Sequence, residues 1–155
     1  HSQVDGVQNQ FHSALLYARS EAIRRNKVVK LCRKQANQNQ CHIPAAADWK
    51  NGWLVFIDAN DDSDQIISGS ASAIAEKILK ISPQLGTSAS FVRQMPVGDP
   101  QRATICFNGY GMVCSDKDAQ SQFIVDSTSD ANSMFVRRVL VSSVGKISLQ
   151  SDKYQ

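Results

Sequence analysis

Apolar residues in the first 26 positions recur at steps of three and four. They are Val4, Val7, Phe11, Leu15, Ala18 and Ala22. This spacing lays them on one stripe of a 3.6-residue helix, with polar residues such as Gln8 off the stripe. The pattern predicts an amphipathic helix over residues 1–26 with one face on a core. The helical spacing of apolar residues is already present at Val4, and no capping residue precedes it. We therefore expect the natural helix to begin upstream of this sequence.

From Lys27 onward the apolar residues follow a two-residue period in short runs bounded by turn-forming residues, as strands do. The predicted strands are 27–32, 53–57, 77–81, 90–94, 103–107, 111–114, 122–126, 134–141 and 146–149. Ile74, Ile78 and Ile81 also fit a helical spacing, and we interpret 71–81 as a loop running into a strand. No helical segment long enough for a parallel crossover separates the strands, so the pattern predicts an α+β fold with antiparallel sheets.

Composition limits the architecture. The chain has 155 residues, 42% of them hydrophobic, and 17 Lys+Arg against 14 Asp+Glu give a net charge of +3. A chain of this size and apolar content is one domain with one core, formed by the helix of residues 1–26 and a β-rich head of residues 27–155. No run of about 18 apolar residues occurs that would predict a membrane-spanning helix.

The four cysteines form two local pairs, Cys32 with Cys41 and Cys106 with Cys114. Four cysteines allow three connectivities, and the local one closes the shortest loops. We expect two disulfides and therefore an oxidising compartment, because a zinc site would need an unusual ligand set. Bridging Cys106 to Cys114 favours a turn centred on residues 109–111, since a two-residue Asn108-Gly109 turn would misalign the cysteines.

Five segments carry a family resemblance. They are residues 11–26, 28–32, 52–58, 105–111 and 141–147, whose order and spacing resemble the GspH/FimT family of type IV minor pilins and type II secretion pseudopilins. The resemblance implies a pilin-like fold. It implies a long N-terminal helix whose apolar first half anchors the subunit in the inner membrane and later in the filament core, beneath a periplasmic head. We expect that the membrane half is missing from this sequence and that residues 1–26 are the C-terminal half of the helix.

Leu16 and Ile23 form a second apolar stripe on the helix. They are seven residues apart and lie about 120–140° round the helix from Phe11. Two interpretations follow: the stripe packs on a neighbouring pilin helix, or the sheet extends far enough to cover it.

A dense basic stretch follows the same helix and includes Arg19. Its candidate DNA-binding residues are Arg24, Arg25, Lys27, Lys30, Arg33 and Lys34. Cations in this number can neutralise phosphates, and some members of the resembled family bind DNA. No aromatic residues are interleaved with the cations, however, and the alternative is a solvated helix end and strand edge.

Metal and catalytic signals are weak. Asp58, Asn60, Asp62 and Asp64 alternate like calcium ligands, but Ser63 and Gly69 replace the required glycine and glutamate, so we interpret this segment as an acidic loop. Neither Gly-x-Ser-x-Gly nor His-Glu-x-x-His occurs. We therefore expect no enzyme activity, no cofactor and no metal.

The sequence thus predicts a filament subunit whose partners are other minor and major pilins, contacted through helix and head. Within the resembled family, a FimU-like subunit that primes assembly near the pilus tip is favoured. The alternatives are an H-type pseudopilin of type II secretion and a DNA-binding minor pilin. Either filament implies a subunit anchored in the inner membrane with a periplasmic head, and a pilus carries that head to the cell surface.

Overall fold

The structure is a computed structural model that describes residues 2–42, 48–58, 77–82, 85, 90–94, 103–115, 118, 120–126 and 135–153. It begins with the helix α1, Ser2–Arg25, which confirms the predicted N-terminal helix. Asn26 ends the helix by taking a positive φ of 52°. The Lys27 amide then donates to the Ala22 carbonyl and the Asn26 amide to the Ile23 carbonyl, which is the Schellman arrangement that closes helix ends.

Eight strands follow in the described part of the chain. They are β1 Val29–Arg33, β2 Trp53–Ile57, β3 Lys77–Ile81, β4 Ser90–Gln94, β5 Thr104–Phe107, β6 Ser121–Asp126, β7 Phe135–Val141 and β8 Ile147–Lys153. They form two four-stranded sheets with the orders β3-β2-β1-β5 and β4-β6-β7-β8, and every pair is antiparallel. The predicted α+β antiparallel architecture is confirmed.

Phe11 of α1 lies where the helix meets both sheets and is fully buried. Its ring centroid is 5.0 Å from that of Trp53 in one sheet, and 5.1 Å and 4.5 Å from those of Phe91 and Phe123 in the other. The ring centroid of Trp49 lies 5.8 Å from that of Phe11 and completes the aromatic cluster. Helix and sheets therefore share one core.

Gln8 corrects the predicted boundary of the helix's buried face. The sequence places it among the polar residues off the apolar stripe, but its side chain is 5% exposed. Its Nε2 donates to the carbonyl oxygens of Arg138 in β7 and Gln150 in β8, at 3.1 and 3.2 Å. These two bonds satisfy the buried amide and connect the helix to the edge of the second sheet.

Both local disulfides are present. Cys32–Cys41 joins β1 to the loop that follows it, and Cys106–Cys114 closes a hairpin after β5. The three-residue loop of that hairpin is residues 109–111, as predicted, because the Asn108 amide donates to the Met112 carbonyl at 2.8 Å. The predicted strand at 111–114 is wrong: only Val113 forms a bridge, with Phe107, because the loop and the disulfide occupy its neighbours. Residues 71–76, the predicted loop before β3, lie outside the described residues.

Candidate subunit-contact surface

The outward face of α1 carries exposed apolar side chains. Leu16 and Ile23 are 44% and 45% exposed, so the sheets do not cover the second stripe. A shallow groove runs between these two residues and β3, lined also by Ser13, Tyr17, Arg19, Ser20 and Lys80. The Lys80 ammonium lies 5.4 Å from the Tyr17 ring centroid, a cation–π distance that sets one wall of the groove. An aliphatic stripe beside small hydroxyl side chains is a suitable surface for packing a second helix.

Two hairpin loops with the same hydrogen-bonding pattern pack near the C-terminal end of this helix. In the first, the Gly111 amide donates to the Asn108 carbonyl at 2.9 Å; in the second, the Gly145 amide donates to the Ser142 carbonyl at 3.0 Å. Both glycines have φ of 82°, the left-handed conformation that a three-residue hairpin loop requires. We call residues 19–27, 108–112 and 142–146 together the helix-end junction.

Arg19 connects the three parts of the helix-end junction. Its Nε donates to the Gly111 carbonyl oxygen at 2.8 Å. A Cβ added at Gly145 would lie 1.8 Å from that same oxygen and 3.0 Å from the Arg19 Nε. The second loop therefore packs with its glycine backbone directly on the bond between the helix and the first loop. Sequence reasoning missed this role of Arg19; the only available signal was the shared Asn/Ser-x-x-Gly spacing of residues 108–111 and 142–145.

We expect Gly145→Ala to destabilise the protein by about 1–3 kcal/mol, because the new Cβ meets backbone and the residue must keep a positive φ. Urea unfolding at neutral pH measures the loss. The matched control is Gly6→Ala, which adds a methyl group inside α1 where nothing lies within 4 Å. That substitution is expected to stabilise by about 0.5–1 kcal/mol. Equal effects of the two substitutions would contradict the close packing at the junction.

Comparison with known proteins identifies the family. The family described as Type II transport protein GspH matches residues 8–145, most of the chain. The chain belongs to the GspH family. It is thus one of the minor pilins and pseudopilins, which are structural subunits of filaments and interact with other pilins.

Solved structures of the type IV minor pilin FimU from Pseudomonas aeruginosa PAO1 are similar to this GspH-family chain. The crystal structure in space group P21 has 16% sequence identity and a TM-score of 0.62, and the match covers 99% of this chain and 94% of that chain. The crystal structure in space group P65 has 16% sequence identity and a TM-score of 0.60, and the match covers 97% of this chain and 97% of that chain. The likeness shows a shared fold. No curated protein sequence matches this chain.

The basic stretch of this GspH-family chain is not one surface patch. Lys30, Arg33 and Lys34 are only 6%, 1% and 7% exposed. The first two lie on β1, which is flanked by β2 and β5, and Lys34 follows β1 and forms a bridge with Cys41. The Lys30 Nζ lies 2.9 Å from a carboxylate oxygen of Asp58. The Arg33 guanidinium stands 5.8 Å from the Trp49 ring centroid and donates to the His42 carbonyl. Burial therefore removes half of the six candidate DNA-binding cations from contact with phosphate.

The remaining candidates, Arg24, Arg25 and Lys27, lie at the end of α1. Both arginines donate to the same carboxylate oxygen of Glu21, at 2.6 and 2.7 Å. These hydrogen bonds hold the pKa of Glu21 below its usual range. Glu21 therefore stays ionised at neutral pH and offsets part of the local positive charge, which weakens the case for DNA binding.

The described part of the chain contains no helix with both the length and the hydropathy of a membrane span. Asp58 is the only calcium-ligand candidate among the described residues, and it is buried beside Lys30; the rest of that acidic segment, residues 59–69, lies outside them. In the part of the chain that the structure describes, no three His, Cys, Asp or Glu side chains are grouped to hold a metal ion.

Proposed function

We propose that this chain is a minor pilin that primes assembly of a type IV pilus and stays near its tip. Before assembly the subunit is held in the inner membrane by the part of the helix that precedes α1 in the resembled family, with the head in the periplasm. After assembly the head is displayed on the pilus at the cell surface. Its partners are other minor pilins and the major pilin.

The observation that carries this proposal is the exposure of Leu16 and Ile23. Two aliphatic side chains one heptad apart, each more than two-fifths exposed, form a stripe on the helix face that the head leaves open. Helices pack by placing such stripes against each other, with small neighbours such as Ser13 and Ser20 allowing close approach. In a family of filament subunits, the partner of this stripe is the helix of an adjacent subunit.

Leu16→Asp tests the proposal. A carboxylate in the middle of the stripe would be buried without a partner when two helices pack, so assembly is expected to fail. The measurement is the number of surface pili in a strain whose own gene is replaced by the variant. The head is expected to stay folded, with a free energy of unfolding within about 1 kcal/mol of the parent, because Leu16 is 44% exposed and does not belong to the buried core.

Gln10→Asp is the matched control, since it adds the same charge to an exposed polar position of the same helix. It is expected to leave pilus number unchanged. Normal piliation with Leu16→Asp would refute the stripe as a subunit contact. Unfolding of the head by Leu16→Asp would also refute it, because the stripe would then belong to the core.

The second candidate function is an H-type pseudopilin of a type II secretion filament. The description of the matching family, a type II transport protein, favours it directly. Both filaments need the same helix and head, so the comparison must be made in cells. Loss of surface pili on gene deletion supports the minor pilin, whereas retention of pili with loss of secreted enzymes supports the pseudopilin.

A further inference from the structure

The helix-end junction exposes a concentration of apolar side chains. Ile23 is 45% exposed on the helix, Tyr110 85% and Met112 43% on the first hairpin loop, and Val144 58% on the second. They belong to one location, because a Cβ at Gly111 would lie 2.8 Å from the Ile23 side chain and one at Gly145 would lie 1.8 Å from the Gly111 oxygen. By contrast, the exposed Ile81 stands on β3, a strand that takes no part in the junction.

The loops that carry these side chains are held rigidly. The Cys106–Cys114 disulfide closes the first hairpin, and the Asn108 Oδ1 accepts hydrogen bonds from the amides of Tyr110 and Met112 at 2.9 and 3.2 Å. In the second loop the Ser142 Oγ accepts from the Lys146 amide at 3.1 Å. The hydrogen bond from Arg19 to the Gly111 carbonyl then connects the first loop to the helix. A surface ordered before binding loses little conformational entropy when a partner arrives, which favours its use in recognition.

The helix-end junction carries a net positive charge. Its residues contain five cations against one acid, and that acid, Glu21, is held by Arg24 and Arg25. Lys27 on the helix end and Lys146 on the second loop are both exposed. A second copy of this chain would bring the same positive charge against it, which disfavours self-association through this surface.

We infer that the helix-end junction binds the head of a different filament subunit, one with an apolar centre surrounded by acidic side chains. This inference rests on the proposed filament function and gives the head its own partner chemistry; the junction shares Ile23 with the helix stripe but does not include Leu16. The exposed aliphatic and aromatic side chains would supply the buried centre of the contact, and the exposed Lys27 and Lys146 would pair with the acidic side chains around it. A nucleic-acid partner fits less well, because three of the five cations of the junction are already engaged: Arg24 and Arg25 with Glu21, and Arg19 with the Gly111 carbonyl.

The test measures binding of this chain to the purified soluble heads of the other minor pilins of the same organism. Each head is immobilised separately, and binding is followed by biolayer interferometry at about 50 and 200 mM salt. We expect one acidic head to bind, with a weaker Kd at the higher salt. Tyr110→Ala and Met112→Ala are expected to weaken the Kd at least about tenfold, as for apolar anchors at the centre of a contact. Lys146→Glu is expected to weaken it mainly at low salt.

Ile81→Ala is the matched control, since Ile81 and Met112 are equally exposed, at 44% and 43%. It is expected to leave the Kd unchanged, and thermal unfolding verifies that every variant is folded. Absence of binding by all heads at 50 mM salt would overturn the inference, as would equal effects of Met112→Ala and Ile81→Ala. Self-association lost with Tyr110→Ala, or duplex DNA binding lost with Lys146→Glu, would overturn it in favour of those partners.

The outcomes separate this inference from the proposed function. Leu16→Asp tests filament entry in cells and leaves the junction intact. If that variant abolishes pili while no head binds the junction, the filament function stands and the junction inference fails. If pili form normally but the acidic head binds with the expected variant profile, the head contact stands and the helix-packing proposal fails.

Discussion

Phe11→Ala is expected to lower the free energy of unfolding by about 3–5 kcal/mol, one of the two largest effects predicted for this protein. Phe11 is fully buried and its ring contacts Trp49, Trp53, Phe91 and Phe123, at centroid distances of 4.5 to 5.8 Å. Three of these contacts are edge-to-face, an arrangement that stabilises aromatic pairs beyond the area they bury. The truncation would leave a cavity where the helix joins both sheets. Urea unfolding of the oxidised protein measures the loss.

Phe11→Leu is the conservative comparison, since it keeps most of the side-chain volume and is expected to cost less than the alanine variant. Leu16→Ala is the surface control on the same helix, and its effect is expected to stay within about 0.5 kcal/mol because Leu16 is 44% exposed. A loss below about 1 kcal/mol for Phe11→Ala would show that the aromatic cluster does not hold the helix on the sheets.

The second large effect is expected from Arg93→Met. Arg93 and Asp118 form an ion pair at 3.1 Å in which both side chains are fully buried. The guanidinium also donates to the Thr104 carbonyl at 2.7 Å and to the Ser121 hydroxyl at 2.8 Å. Removing it would leave the Asp118 carboxylate buried without its cation, which costs about 3–5 kcal/mol. Urea unfolding at pH 7 is the measurement.

Two further variants check the cause of that loss. Lys146→Met removes an exposed cation in the same way and is expected to change stability by less than about 0.5 kcal/mol. The double variant Arg93→Met with Asp118→Leu is expected to recover part of the loss, because no charge is then left buried. Recovery would be incomplete, since the Asp118 carboxylate also accepts the Cys106 amide at 3.2 Å. A double variant less stable than Arg93→Met alone would contradict the uncompensated charge as the cause.

The two buried features are connected to the surfaces proposed for function. Phe11 fixes α1 and thereby the direction of the Leu16 and Ile23 stripe. Asp118 supports Cys106, whose disulfide with Cys114 closes the loop that presents Tyr110. A stable head is therefore a precondition for both contacts, and any variant used to test them must first be shown to be folded.

The sequence by itself determined most of the elements of this protein, the strand predicted at 111–114 being the exception. The stripe that includes Phe11 and Leu15 specifies which face of α1 is buried, because side chains three, four and seven residues apart in a helix lie on the same face. The short β-rich runs specify the strands, and β2, β3 and β4 have the predicted bounds. The proximity of the paired cysteines along the chain was sufficient to predict both disulfides. Each of these features depends on residues close to one another in sequence.

Only the tertiary structure decided which side chains are accessible. Lys30, Arg33 and Lys34 look like part of a surface basic patch in the sequence, yet the sheet and its surroundings bury them, while Leu16 and Ile23 stay exposed. The helix-end junction brings Arg19, Gly111 and Gly145 together from segments far apart in the chain. Burial and long-range contacts depend on how elements distant in the sequence pack against each other. The hydrophobic period of one segment predicts its helix or strand, but it does not predict which other element covers each face.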